Sequence, residues 1–240
     1  MRNLLKTVIL TMLSWIRRDP APKVVFYHDV GRMYTPMGTE ETLFVQHMKA
    51  LRKGDRVCFD DGFRGLYDFI KKNPMFFTHL HPTPIPLTVF LAPRLVGTPG
   101  YMSWDEIREL NRNSGVDFQC HTWSHQTLAG PMIDESPIEE RTEAWFDREL
   151  LTSKAMIAKE LGHDINELCF PVGYFSDEVI ARCQRAGYQR VYASYPGNVV
   201  DAYIQPRCLV QDLSFGAFKA VLKGGMNPLA RRYRNRHYCR

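Results

Sequence analysis

Val57-Cys58-Phe59-Asp60-Asp61-Gly62 passes within six residues from an apolar, strand-favouring run to two carboxylates and a glycine. The same passage recurs along the chain. Val24-Val25-Phe26-Tyr27 runs into His28-Asp29, and Val116-Asp117-Phe118-Gln119-Cys120 into His121-Thr122-Trp123-Ser124-His125. Leu168-Cys169-Phe170 runs into Pro171-Val172-Gly173. Titratable groups therefore gather at the carboxyl ends of apolar strands. In a parallel barrel those ends converge on one face, where active sites are built.

Working outward, strand-like runs are expected at Val24–Tyr27, Arg56–Phe59, Leu87–Leu91, Val116–Cys120, Leu168–Phe170, Val191–Ala193 and Cys208–Val210. Helical stretches fall between them at about 40–53, 63–72, 103–113, 138–161, 176–186 and 214–223. A proline-rich connection, residues 79–86, precedes the third strand. Alternation of this kind indicates an α/β protein with a parallel sheet, an incomplete (β/α) barrel of about seven strands. The body occupies residues 21–222, between an N-terminal segment, 1–20, and a basic C-terminal tail, 223–240.

At 240 residues, with 45% apolar and 24% charged side chains, the chain has the composition of a folded domain and not of a disordered or many-span membrane protein. The net charge of +5 is unevenly spread: residues 1–18 and 223–240 hold +10 between them and no acid, which leaves −5 on the body. Basic ends suit an anionic membrane surface, whereas nucleic-acid binding is not expected, because no groove-lining basic motif is present. In residues 1–20, Leu4, Leu5, Val8, Ile9, Met12, Leu13 and Ile16 share one helical face, opposite Lys6, Thr7, Thr11 and Ser14. The apolar run falls short of the roughly 20 residues a bilayer span needs, so the helix either docks on the domain or lies in a membrane interface, with a signal anchor as a third option. The location expected is peripheral, on the cytoplasmic face of the inner membrane. Six scattered cysteines form no CxxC pair, which points to buried thiols in a reducing compartment, with no disulfide framework or cysteine metal site.

Two histidines and a carboxylate are ligands a divalent metal accepts while keeping positions open for water and substrate. Asp-Asp-Gly alone is most often a turn, and a lone HxxxH is more often a packing pair; here both follow strands in one chain. The segment is not the HExxH of zinc proteases, since Thr122 stands where the glutamate would be. The facial triad of iron oxygenases also needs two histidines and one carboxylate. Tandem carboxylates favour hydrolysis instead, one binding metal while its neighbour takes a proton from water.

At these residues the sequence resembles the polysaccharide deacetylases with a NodB-type homology domain, carbohydrate esterase family 4, over about residues 22–222. The resemblance implies a distorted (β/α) barrel, with Asp60 as catalytic base and Asp61, His121 and His125 as ligands of one divalent metal, Zn2+ first, with Ni2+, Co2+ or Fe2+ as alternatives. The third family motif, Arg-x-x-Pro-Tyr-Gly, is reduced to Pro171-Val172-Gly173. Val172 would supply the oxyanion N–H, and Arg207 stands in for the missing arginine that steadies the base. Leu209-Val210-Gln211-Asp212 lacks the usual general-acid histidine. Tyr27-His28-Asp29-Val30 is similar to the poly-N-acetylglucosamine deacetylase branch, which implies His28 as the acid, oriented by Asp29. The implied substrate is an acetylated glycan of the envelope or on a lipid carrier, losing an N-acetyl group. Removal of an O-acetyl or N-formyl group, amidohydrolysis of a small nitrogen compound and glycan binding without catalysis are the alternatives.

Overall fold

Short runs rich in valine, leucine and aromatic residues pair as strands β1 (Val24–Tyr27), β2 (Arg56–Asp61), β3 (Leu87–Leu91), β4 (Asp117–Cys120), β5 (Glu167–Cys169), β6 (Arg190–Ala193), β7 (Ile204–Pro206) and β8 (Cys208–Leu209). The computed structural model describes residues 2–16, 19, 21–79, 85–132, 140–198 and 202–239. All eight strands are parallel, in the order β8-β1-β2-β3-β4-β5-β6-β7.

The two ends of that order are almost one strand. β7 pairs with β6 through Val191↔Ile204, and β8 pairs with β1 through Val25↔Cys208. Only Arg207 separates them, so one extended segment serves both edges and nearly closes the barrel. Six strands plus this shared one meet the expectation of about seven. The expected last strand, Cys208–Val210, begins four residues earlier, at Ile204. Ile204-Gln205-Pro206 is short and carries a proline, so it reads poorly as a strand. Pairing against β6 makes it one.

The two-residue period sorts β2 between layers. Val57 and Phe59 join the large outer core beneath the helices, while Cys58 joins Phe26, Phe90, Cys169 and Tyr192 in a separate cluster inside the barrel. Below that cluster polar side chains pair with one another. Arg56 donates to the Tyr192 hydroxyl at 2.7 Å and to Thr88 at 3.2 Å, and Tyr192 donates to Glu167 at 2.7 Å. Asp60, next on the inner face of β2, is thereby delivered to the carboxyl end of the lumen.

The outer helices of eight residues or more are α1 (Arg2–Ile16), α2 (Glu41–Ala50), α3 (Arg64–Lys72), α4 (Trp104–Asn113), α5 (Ser153–Leu161), α6 (Asp177–Arg185), α7 (Phe215–Leu222) and α8 (Ala230–His237). Their starts follow sequence signals: Ser103 and Glu106 form a reciprocal capping box, and Ser176 and Ser214 cap α6 and α7. The helix expected over 138–161 begins later. Residues 133–139 lie outside the described residues, Thr142 caps Glu143–Asp147, and a five-residue π segment, Arg148–Thr152, precedes α5. Residues 80–84 of the proline-rich connection also lie outside the described residues.

The N-terminal helix takes the docked position, one of the arrangements expected for it, but with a face that hydropathy does not single out. α1 docks on α7 through its less apolar face: Leu10 and Ser14 are buried, and the Thr7 hydroxyl lies 2.7 Å from that of Ser214. A Cβ on Gly225 would come within 2.6 Å of the Leu10 carbonyl, so this close approach requires glycine there. The basic C-terminal segment, residues 223–239, is structured. It forms a turn and α8, and it hydrogen-bonds back to Phe175 from the His237 carbonyl and the Cys239 N–H. No described helix is long and apolar enough to cross a membrane. All six cysteines are free, and five of them are buried.

Candidate active site

Asp60 reaches the lumen already paired. Arg207, at the joint between β7 and β8, donates to both carboxylate oxygens, at 2.7 and 2.8 Å. Its side chain is wholly buried, with the guanidinium 4.1 Å from the Phe26 ring centroid and 5.4 Å from that of Phe90. Burial works to raise the Asp60 carboxyl, but the charge and hydrogen bonds of Arg207 outweigh it and hold the group well below the usual carboxylate range. Asp60 is therefore ionised. Arg207 also lies 2.7 Å from the Cys169 sulfur. Burial pushes that thiol well above its ordinary value, so it stays protonated.

Asp61, His121 and His125 converge beside this pair, their ligand atoms within 4.8 Å of one another. Nε2 of His121 lies 3.5 Å and Nε2 of His125 3.1 Å from Oδ1 of Asp61. Nδ1 of His121 faces the Cys169 carbonyl at 2.8 Å, which fixes the proton on Nδ1 and leaves Nε2 as a lone pair. Burial, opposed by the Asp60 charge, pulls this imidazole down to about 4, so it is neutral near pH 7. A lone pair thus faces a buried carboxylate oxygen that has no hydrogen-bond donor among the described residues. Two acceptors in contact call for a cation between them, and one carboxylate with two imidazoles is a donor set a divalent first-row ion accepts. Asp60, His121 and Cys169 also lie within that radius. Arg207 already occupies both oxygens of Asp60 and the sulfur of Cys169, which leaves the first trio as the fit.

Backbone strain marks the same place. Among the described residues, the non-glycine positions with left-handed φ are Asp61 (71°), Thr122 (65°), His125 (63°) and Val172 (59°). Three belong to the two motifs that supply the trio, and Val172 follows the strand whose Cys169 carbonyl holds His121. Such conformations persist only where their surroundings enforce them, and they cluster at functional sites. For the histidine loop the enforcement comes from Glu149, fully buried in the π segment. It accepts from the Trp123 N–H, the Ser124 N–H and the Ser124 hydroxyl, each at 2.9 Å. At the third motif, a Cβ on Gly173 would lie 2.5 Å from that of Ser194, so the turn bearing Val172 needs glycine. Val172 itself is half exposed.

His28 stands directly after β1, half-buried. Its Nδ1 is 2.6 Å from Oε1 of Gln211. The expected orienting role of Asp29 is not what the structure shows. Asp29 accepts from the N–H groups of Val30, Leu66 and Gly65, at 2.9, 2.8 and 3.3 Å, and so closes the start of α3. Burial raises its carboxyl to about 7 against those bonds.

Every site residue expected from sequence, Asp60, Asp61, His121, His125, His28, Val172, Gly173 and Arg207, lies at the carboxyl ends of strands or in the turns just beyond them, Arg207 at the strand joint. Sequence reasoning missed Gln211, Cys169 as a neighbour of the ion pair, and Glu149. Gln211 sat within a segment read only for its missing histidine. Glu149 carried no local signal, being an acid in the middle of a helical stretch.

The profile of the polysaccharide deacetylase family matches residues 54–191. YxkH of Bacillus subtilis (strain 168), named as a polysaccharide deacetylase, is 21% identical over 174 residues; the match covers 71% of this chain and 55% of that protein's length. The fold is shared with IcaB from Ammonifex degensii (TM-score 0.66, 18% identity, 86% of this chain and 98% of that one). It is shared also with the Streptococcus pyogenes deacetylase PplD, solved in complex with acetate (TM-score 0.65, 17% identity, 87% and 99%), and with a polysaccharide deacetylase from Bacillus cereus (TM-score 0.66, 18% identity, 85% and 69%).

Proposed function

Because the chain belongs to the polysaccharide deacetylase family, we propose that it hydrolyses the N-acetyl group of a hexosamine in a glycan, with Asp61, His121 and His125 holding one divalent metal. The observation that carries this reading is the juxtaposition of Asp60, kept ionised by Arg207, with that trio at the open end of the barrel. A divalent metal held by these residues, Zn2+ first among the candidates, would supply Lewis acidity towards the acetyl carbonyl and water. The remaining roles belong to the chain. Asp60 accepts the proton of the attacking water, and Arg207 fixes the direction in which its oxygens point. The Val172 N–H, set by the left-handed turn at residues 171–173, donates to the developing oxyanion. His28, with Nδ1 engaged by Gln211, presents Nε2 to protonate the leaving amine.

The test is mass spectrometry of acetylated hexosamine oligomers and lipid-linked acetylated glycans after incubation with Zn2+-loaded protein. Loss of one acetyl group by wild type, and none by Asp60→Asn, is the expected result. Loaded wild-type protein that leaves all of these substrates intact while cleaving an O-acetyl, N-formyl or small amide substrate would redirect the assignment.

A further inference from the structure

Among the described residues, none covers the outward face of α1. Leu5 (62% exposed), Val8 (42%), Ile9 (46%), Met12 (62%) and Trp15 (82%) all present themselves to solvent. At helical pitch they fall within an arc of about 120°, opposite the docked Thr7, Leu10 and Ser14. Scattered exposed apolar residues need no explanation, but a continuous stripe of five, ending in a tryptophan, does. The domain has turned the helix so that Thr7, Leu10 and Ser14 face inward and five large apolar residues face away.

The charges beside this stripe decide what covers it. α1 carries Arg2 and Lys6 and no acid. The chain just beyond it is tied to the segment that leads into α8, by Asp19 N–H to the Lys223 carbonyl at 2.9 Å and by Asn227 to the Asp19 carboxylate. α8 exposes Arg231, Arg232, Arg234 and Arg236, again with no acid. A second copy placed face to face would set one cationic surface against another. An anionic bilayer meets both features at once: it takes the apolar stripe into its interface and attracts the arginines. We propose that α1 docks the protein on an anionic lipid surface as a monotopic anchor, with α8 as its electrostatic partner. Two attachment signals, one apolar and one basic, are what reversible but stable membrane residence requires.

The experiment is co-sedimentation of the full chain with vesicles of phosphatidylcholine plus phosphatidylglycerol, and of phosphatidylcholine alone, over a salt series. Binding is expected to the anionic vesicles and to weaken with salt, because the basic contribution is screened. Met12→Glu/Trp15→Glu should lower partitioning by about tenfold or more at every salt. Arg232→Glu/Arg236→Glu should lower it at low salt only. All four side chains are exposed or lie on exposed faces, so an unchanged thermal midpoint checks the fold. Full-length protein that stays in the supernatant with anionic vesicles at low salt overturns the proposal. A concentration-dependent dimer in analytical ultracentrifugation, abolished by Met12→Glu/Trp15→Glu without any vesicle binding, assigns the face to a second copy instead. None of these readouts uses turnover, so they stand or fall apart from the deacetylase reading.

Discussion

Replacing Arg207 with methionine isolates the pair on which the site is built. The guanidinium is fully buried and makes both of its bonds to Asp60 inside an apolar cage of Phe26 and Phe90. Removing one partner of such a pair costs about 3–5 kcal/mol, because a buried carboxylate is left without its counter-charge. Without Arg207, burial is the dominant influence on Asp60 and carries its carboxyl above the unfolded value of about 3.9. The sign of the pH effect follows. In wild type a depressed carboxyl contributes stability that is present above pH ~3.9 and lost below it; in the variant a raised carboxyl costs stability as pH rises. The gap between the two proteins should therefore be widest near neutrality and shrink on acidification towards about pH 4. Asp60→Asn removes the charge without removing the shape. The double variant Asp60→Asn/Arg207→Met should lose about 2 kcal/mol or more less than the sum of the single losses. Urea denaturation of the four proteins at two pH values measures this. Strict additivity, within about 0.5 kcal/mol, would refute the picture of a coupled buried pair. Arg207→Lys restores charge but not the bidentate fork, and should recover more stability than turnover.

Three further outcomes are expected. His121→Ala and His125→Ala should abolish metal content by elemental analysis while Asp60→Asn retains it; full occupancy in His121→Ala would show that the ligands lie elsewhere. His28→Ala should slow turnover about 10²–10⁴-fold with metal content and thermal midpoint unchanged, and a well-folded variant of near-normal rate would eliminate His28 as the acid. His47 is buried, stacked on Phe218 at 4.0 Å between centroids and hydrogen-bonded to Tyr27 at 3.0 Å, and burial lowers its pKa to about 4. The unfolded chain takes up that proton first, so between about pH 6.5 and 4 acidification costs about 1.4 kcal/mol per pH unit at this residue. His47→Gln should flatten the acid limb of the stability curve by that amount, and superimposable slopes for the two proteins would show that His47 is not held neutral.

What sequence conveyed best was the junctions. Strand-then-carboxylate at Asp60 and strand-then-histidine at His121 are local signals, because alternation and residue type travel with the segment itself. What it conveyed poorly was anything decided by a distant partner. Ile204–Pro206 becomes a strand only because β6 offers it an edge. Asp29 was expected to orient His28, yet its oxygens meet N–H groups at Gly65 and Leu66. The apolar stripe of α1 was legible as a stripe, but not which way it would point. That was settled by the close approach of Leu10 to Gly225, a fit between backbones with no hydropathy signature.

Closure of the barrel through one shared segment has a consequence for the order of assembly. Asp60 and Arg207 are 147 positions apart, and the residue that clamps the carboxylate is also the hinge on which the two edges of the sheet meet. On a ribosome, the first six strands emerge before that hinge exists. Until it docks, the carboxylate has neither its counter-charge nor its aim, and the sheet still exposes two unpaired edges. Chemical competence and topological completion therefore arrive together, and a chain truncated ahead of residue 207 would be both inert and prone to associate through its open edges.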